Sequence, residues 1–292
     1  MIRIILFLLT NLSVVCMFGI ILFITGIKAH SIKSLMILAG IVGFSGSITS
    51  LLLSKWAAIR STNAKIINYP RNNLEKWIMQ SVKFQSQQLG IQIPTVAIYP
   101  ANTVNAFATG YSKNNALVGL STSLLRNMNK RNIQAVIAHE LSHIVNGDMV
   151  TLTLIQGVIN TFVFFISSMI AKLVIHILIG HKRFDFLKSY HVLIHYTISM
   201  TLQTIFGMLA SVIVLTFSRY REFKADADAA KRIGWHNMIN LLENFRHLTE
   251  PKAKNNMTAY CIRGTTQSFM NLFDSHPPLK DRIEALLKQS YK

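Results

Sequence analysis

Charge is scarce in this chain, and acidic charge most of all. Only 14% of its 292 residues are Asp, Glu, Lys or Arg, and 12 acidic residues stand against 30 basic ones. With 51% hydrophobic residues and a mean hydropathy of +0.36, this composition excludes an ordinary soluble domain of this size. Cysteine is nearly missing: Cys16 falls in an apolar run and Cys261 in a polar tail. The two are not expected to pair and lack metal-site spacing, which leaves neither a disulfide framework nor a thiolate metal site. There is no GxxxxGK[ST] loop for ATP, no internal repeat and no low-complexity tract.

What the chain has instead is length of apolar sequence. Four stretches stand out: Ile4 to Thr25, Leu35 to Leu53, Thr151 to Ala171 continuing past Lys172 to Ile179, and Val192 to Phe217. Each is about the ~20 residues that carry a helix across a bilayer. The first is too long for a signal peptide and lacks a small-x-small cleavage site, so with the second it reads as a retained helical hairpin. The polar segments hold the basic surplus. Residues 55–150 carry ten Lys/Arg against three Asp/Glu, and residues 218–292 thirteen against eight. The loops at 26–34 and 180–191 carry two and three Lys/Arg. Positive-inside logic puts both polar segments and both termini in the cytoplasm. Attraction to anionic lipid headgroups accounts for the net charge of +18 more simply than nucleic acid, which is not an expected partner.

His139-Glu140-Leu141-Ser142-His143 carries the chemistry. Two histidines four apart on a helix share one face, so both imidazoles reach a single metal ion. The glutamate beside the first can accept a proton from a water activated at that metal. Helical spacing of Ile133, Val136 and Ile137 supports the helix, with Asn132 expected to cap it and Gly147 to end it. A buried carboxylate at Glu140 is costly without a role. A third ligand is required, and Glu222-Phe-Lys-Ala-Asp226 offers two carboxylates four apart. One can bind metal while the other receives the free ring N–H of a histidine. The even number of spans between His139 and Glu222 returns both to one side of the membrane. The short gaps from Asp148 to the third span and from the fourth to Arg219 place the site at the membrane surface.

Around these motifs, residues 70–90 read as an amphipathic helix burying Leu74, Trp77, Ile78 and Val82. Pro94 to Pro100 reads as a strand, and Asn105–Gly110 with Ala116–Ser121 as a β-hairpin, with Ser121 capping a short helix. A strand edge can hold an extended peptide beside the metal. Helices are expected near 236–248 and 279–288, and between them His276 and Arg282 are candidates to line the site.

Taken together, His139-Glu-Leu-Ser-His-Ile-Val-Asn-Gly-Asp148, Ser218-Arg-Tyr-Arg-Glu-Phe-Lys-Ala-Asp226, Asn105-Ala-Phe-Ala-Thr-Gly110 and Ser275-His-Pro-Pro278 around four spans resemble the HtpX family. These are bacterial inner-membrane zinc endopeptidases related to the CAAX prenyl endopeptidases. The resemblance covers essentially the whole chain. It implies a mostly α integral membrane protein, with four transmembrane helices and a cytoplasmic α+β gluzincin-type zinc peptidase domain. The expected organisation is a transmembrane hairpin over 1–54 and a first peptidase part over 55–150, with the small sheet and the HExxH helix. A second hairpin follows over 151–217 and a second peptidase part, with the ExxxD helix, over 218–292. By resemblance, His139, His143 and Glu222 bind one zinc per chain and Glu140 is the base. Asp226 orients a histidine, and His276 helps stabilise the oxyanion. Asn105, Ala106, Phe107 and Ala108 belong to the substrate-pairing edge. The implied role is ATP-independent hydrolysis of flexible or unfolded cytoplasmic parts of membrane proteins during envelope or heat stress. Asp228 departs from the family pattern and adds a carboxylate expected near the site.

Two other readings stay open on sequence. An intramembrane protease would cut within the bilayer, against which Lys130, Arg131, Asn146 and Asp148 flank the motif with costly polarity. A non-enzymatic membrane metal-binding protein or transporter would use His176 and His195 in the third and fourth spans.

Overall fold

The computed structural model describes residues 32–180, 190–249 and 277–288. The first apolar stretch, both cysteines and His276 lie outside the described residues. The chain divides into two compact units, Met1–Thr49 with Thr153–Leu215, and Ser50–Leu152 with Thr216–Lys292.

Three long helices supply the first unit's described residues: α1 (Ile32–Thr62), α5 (Asp148–Gly180) and α6 (His191–Ile233). Three helices among the described residues are long and apolar enough to cross a membrane: Lys33–Thr62, Asp148–Ile177 and His191–Ile233. Their surface is the reverse of a soluble protein's. Ile37, Ile41, Phe162, Leu173, Leu193 and Leu209 are exposed, which suits a hydrocarbon surrounding. Inside the unit, Leu35, Ala39 and Phe164 pack together. Ser47 Oγ accepts from Asn160 Nδ2 at 3.4 Å, the kind of polar contact that joins helices where no water competes.

The second unit is α+β. A four-stranded sheet runs in the order β1 (Lys65–Ile66), β2 (Thr95–Tyr99), β4 (Asn115–Ser121), β3 (Ala106–Ser112). β2 and β4 are parallel, and the other pairs antiparallel. The expected hairpin is present, but its strands run further than read, leaving Lys113 and Asn114 to turn. The helices of this unit are α2 (Asn73–Gln88), α3 (Thr122–Asn127), α4 (Lys130–Asn146), which lies against the sheet, α7 (Trp235–Thr249), which packs on α4, and α8 (Leu279–Leu287), which packs on α7.

Local chemistry sets these boundaries. Asn72 Oδ1 accepts from Glu75 N at 2.8 Å, while Glu75 Oε2 accepts from Arg71 N at 2.7 Å, a reciprocal cap that starts α2. Ser121 Oγ accepts from Leu124 N at 3.0 Å and starts α3, as expected. α4 corrects one expectation: its cap is Asn129, whose Oδ1 accepts from the N–H of Asn132. Asn132 instead lies inside the first turn, buried, so the helix opens three residues earlier. Leu74 also departs from expectation. It sits in the first turn of α2, on the exposed side, while Ile78 and Val82 enter the core. That core gathers Val118 and Leu120 from the sheet, Ile133, Ile137 and Leu141 from α4, and Met238, Leu241 and Leu242 from α7. Lys130 Nζ stands 5.5 Å from the centre of the Trp77 ring, a cation–π contact joining α4 to α2.

Candidate metal centre

Helix α4 presents His139 and His143 one turn apart, and α6 presents Glu222 and Asp226 in the same way. Glu222 lies on the same uninterrupted helix, His191–Ile233, as the fourth apolar stretch. Alanines line the buried faces of both elements, Ala135 and Ala138 on α4, Ala225, Ala229 and Ala230 on α6. Arg232 ties the two helices together: its Nη2 donates to Ala138 O at 2.7 Å and to Ser142 Oγ at 2.5 Å.

The result is a convergence of donors. The two Nε2 atoms lie 3.1 Å apart with the rings nearly perpendicular, at 89°. Glu222 Oε1 is 3.3 Å from His143 Nε2, and its Oε2 is 3.6 Å from His139 Nε2. Ligand atoms of His139, His143 and Glu222 all fall within 4.8 Å of one another.

Behind the donors stand carboxylates and arginines. Asp226 Oδ1 lies 3.0 Å from His139 Nδ1. Arg282, from α8, grips Asp226 with Nε and Nη2, each at 2.6 Å, and its Nη1 reaches within 3.4 Å of Glu222 Oε2. His143 Nδ1 meets Asp148 Oδ2 at 2.6 Å. Asp148 in turn lies 3.6 Å from Arg221 Nη1.

Electrostatics fit a cation here. Burial pushes the His139 ring pKa down, but Asp226 and then Glu222 outweigh it and raise it to about 10. The His143 ring is raised in the same sense, burial opposing and Asp148 and Glu222 prevailing. Glu140, Asp148, Glu222 and Asp226 bring four carboxylates, Arg221 and Arg282 two guanidiniums. With neutral imidazoles the group has a surplus of two negative charges, which one divalent ion neutralises. Two imidazoles and one carboxylate are also the donor set of a catalytic zinc that keeps a position open.

Most sequence candidates come together here, Arg282 included. Glu140 is buried beside His139, and its charge acts on His143, Arg282 and Tyr99. Burial, and then that charge, push the Tyr99 phenol up to about 12. β3 is an edge strand of the sheet and lies against α4. Ser121 N donates to Asn105 O at 3.0 Å. Antiparallel alternation then spends the backbone of Phe107 and Thr109 on β4 and turns that of Ala106 and Ala108 to the open edge. The outward N–H of Ala106 is met by its neighbour's side chain, Asn105 Oδ1, at 2.9 Å. His276 lies outside the described residues. Asp228 is not among the three donors, and its carboxylate accepts from Asn146 Nδ2 at 3.0 Å. Sequence reasoning missed Arg221, Arg232 and the role of Asp148. For Asp148 the signal was present, an acid directly after the helix-ending glycine.

The profile of peptidase family M48 matches residues 72–290. The chain is 50% identical over 291 residues to Protease HtpX of Yersinia enterocolitica, covering 100% of this chain and 99% of that protein. It is 49% identical over the same span to Protease HtpX of Pectobacterium carotovorum, with equal coverage. The fold is similar to that of S. mikatae Ste24p, with a TM-score of 0.64 at 16% identity. The match covers 94% of this chain and spans 62% of that one. The chain belongs to peptidase family M48 and is a membrane-bound metallopeptidase.

Proposed function

We propose that this metallopeptidase is a zinc endopeptidase of the bacterial inner membrane, with its catalytic domain and both termini in the cytoplasm. It would hydrolyse flexible or unfolded cytoplasmic parts of membrane proteins without ATP. The observation that carries the reading is the convergence of His139, His143 and Glu222. In this reading those three residues hold one zinc per chain. Zinc bound there would supply a water of lowered pKa and polarise the scissile carbonyl.

The remaining work falls to the chain's own groups. Glu140 accepts the proton of the attacking water and passes it to the leaving amine. Asp226, whose Oδ1 lies 3.0 Å from His139 Nδ1, is the group that would receive that ring's N–H and leave Nε2 for the metal, and Arg282 keeps that carboxylate in place. The open edge over Asn105, Ala106, Phe107 and Ala108 aligns the peptide as an added strand, with the backbone of Ala108 and the carbonyl of Ala106 as its partners. His276 is assigned to stabilising the oxyanion. The organisation proposed is a transmembrane hairpin over 1–54, peptidase parts over 55–150 and 218–292, and a second hairpin over 151–217.

The test compares wild type with Glu140→Gln in detergent, both stripped by a chelator and reloaded with zinc. Equal zinc content, near one per chain, with cleavage of an unfolded protein by wild type alone is the expected result. A Glu140→Gln protein that cleaves at the wild-type rate would remove Glu140 as the base.

A further inference from the structure

The outer nitrogens of the two histidines are held differently. Asp226 faces His139 Nδ1 at 3.0 Å, but the closer contact is the one from Asp148 Oδ2 to His143 Nδ1, at 2.6 Å. From this we infer that Asp148 is the positioning residue of His143, held by Arg221, so that each ligand histidine has its own carboxylate and each carboxylate its own arginine. The inference rests on the assignment of His143 as a metal ligand under Proposed function.

The chain builds this contact by breaking a helix. In an uninterrupted α-helix, residues five apart lie about 140° apart around the axis and cannot meet. Gly147 ends α4 in the left-handed region, with φ of 66°, and its N–H donates to Ile144 O at 3.1 Å. α5 then starts at once with Asp148. The turn brings the Asp148 carboxylate back to the His143 ring.

An acid in the first turn of a helix has an ordinary explanation, interaction with the helix dipole. That role suits a solvated carboxylate. Asp148 is only 5% exposed, and a buried carboxylate requires partners. It has His143 on one side and the Arg221 guanidinium on the other, whose Nη2 is itself bonded to Ser218 Oγ at 3.2 Å. Accepting the Nδ1–H fixes the tautomer of His143. Its Nε2 then lies toward Glu222 and His139, at 3.3 and 3.1 Å. α6 carries both Arg221 and Glu222, so one helix supplies a ligand and the group that steadies the other ligand's support.

The experiment uses the full chain in detergent with Glu140→Gln as parent, to prevent self-digestion. Asp148→Asn, Asp148→Glu, Arg221→Met and His143→Ala are compared for Zn2+ affinity, by competition with a chromophoric chelator. The visible spectrum with Co2+ and the unfolding midpoint of the metal-free protein are read alongside. Asp148→Asn should bind Zn2+ 10- to 100-fold more weakly and change the Co2+ spectrum, with little change in the metal-free midpoint. Asp148→Glu should recover part of the affinity, and Arg221→Met should lose some in the same direction. Zn2+ affinity within twofold of the parent and a parental Co2+ spectrum for Asp148→Asn overturn the inference. So does a loss that merely follows a lowered metal-free midpoint. Should Asp148→Asn not fold, Arg221→Met decides by the same criteria. His143→Ala separates the two levels: undiminished Zn2+ binding there defeats the ligand assignment, whereas its loss beside an unaffected Asp148→Asn defeats only the positioning role.

Discussion

Arg282 and Asp226, 56 residues apart, meet in a buried two-pronged contact in which Nε and Nη2 each donate to one carboxylate oxygen at 2.6 Å. Burial disfavours the Arg282 charge, yet Asp226 and Glu222 outweigh it and raise the guanidinium pKa. Through this contact α8 supports α6. Arg282→Met removes the guanidinium partner of a buried carboxylate, and removing one partner of a buried pair costs about 3–5 kcal/mol. The unfolding midpoint of the metal-free full chain should fall accordingly. An unchanged midpoint would mean that α8 does not depend on the pair.

Gly147 offers a test of conformation alone. A Cβ there would meet nothing within 4 Å, so only its φ of +66° resists a side chain. Asn tolerates this region best, and a β-branched residue worst. Gly147→Ala should cost about 1 kcal/mol. Midpoints should fall in the order Gly, Asn, Ala, Val, and a different order would place the strain elsewhere.

Gly119 tests the strand edge. A Cβ at this position would fall 2.5 Å from two atoms of the Phe107 ring, which also packs on Tyr99 at 5.3 Å between centroids. Gly119→Ala must push the Phe107 side chain aside, at a cost of about 1–3 kcal/mol. If the edge binds substrate, KM for an extended peptide should rise roughly fivefold or more, with Zn2+ affinity unchanged. A loss confined to Zn2+ affinity would instead link Phe107 to the metal and not to the peptide.

Removing the metal should act on stability as well as on catalysis. Zn2+ at 100 times its Kd adds about 2.7 kcal/mol. A chelator should therefore abolish hydrolysis and lower the unfolding midpoint, and added Zn2+ should restore both. Full hydrolysis in the presence of a strong chelator would contradict a metal-dependent reaction.

Much of this was legible in the residues because it depends on short-range periodicity. Residues four apart share a helix face, so His139 with His143 and Glu222 with Asp226 were readable as pairs. Alternation and a polar turn marked the hairpin of β3 and β4. Ser121 and Gly147 announced a start and a stop. Capping was the weak point. Asn129 and Asn132 are both good caps, and choosing between them depends on which backbone N–H is otherwise unsatisfied.

The chain by itself thus determined the donor types, their spacing and the apolar lengths that mark a membrane protein. Only the tertiary structure decided that β4 lies between β2 and β3, that Arg282 reaches Asp226, and that Arg232 joins α6 to the backbone of α4. It also decided that Asp148 serves as a partner of His143, while Asp228 turns to Asn146. The physical reason is range. Helical and extended periodicity follow from backbone geometry a few residues at a time, whereas the partner of a buried charge is chosen by packing among residues far apart in the chain.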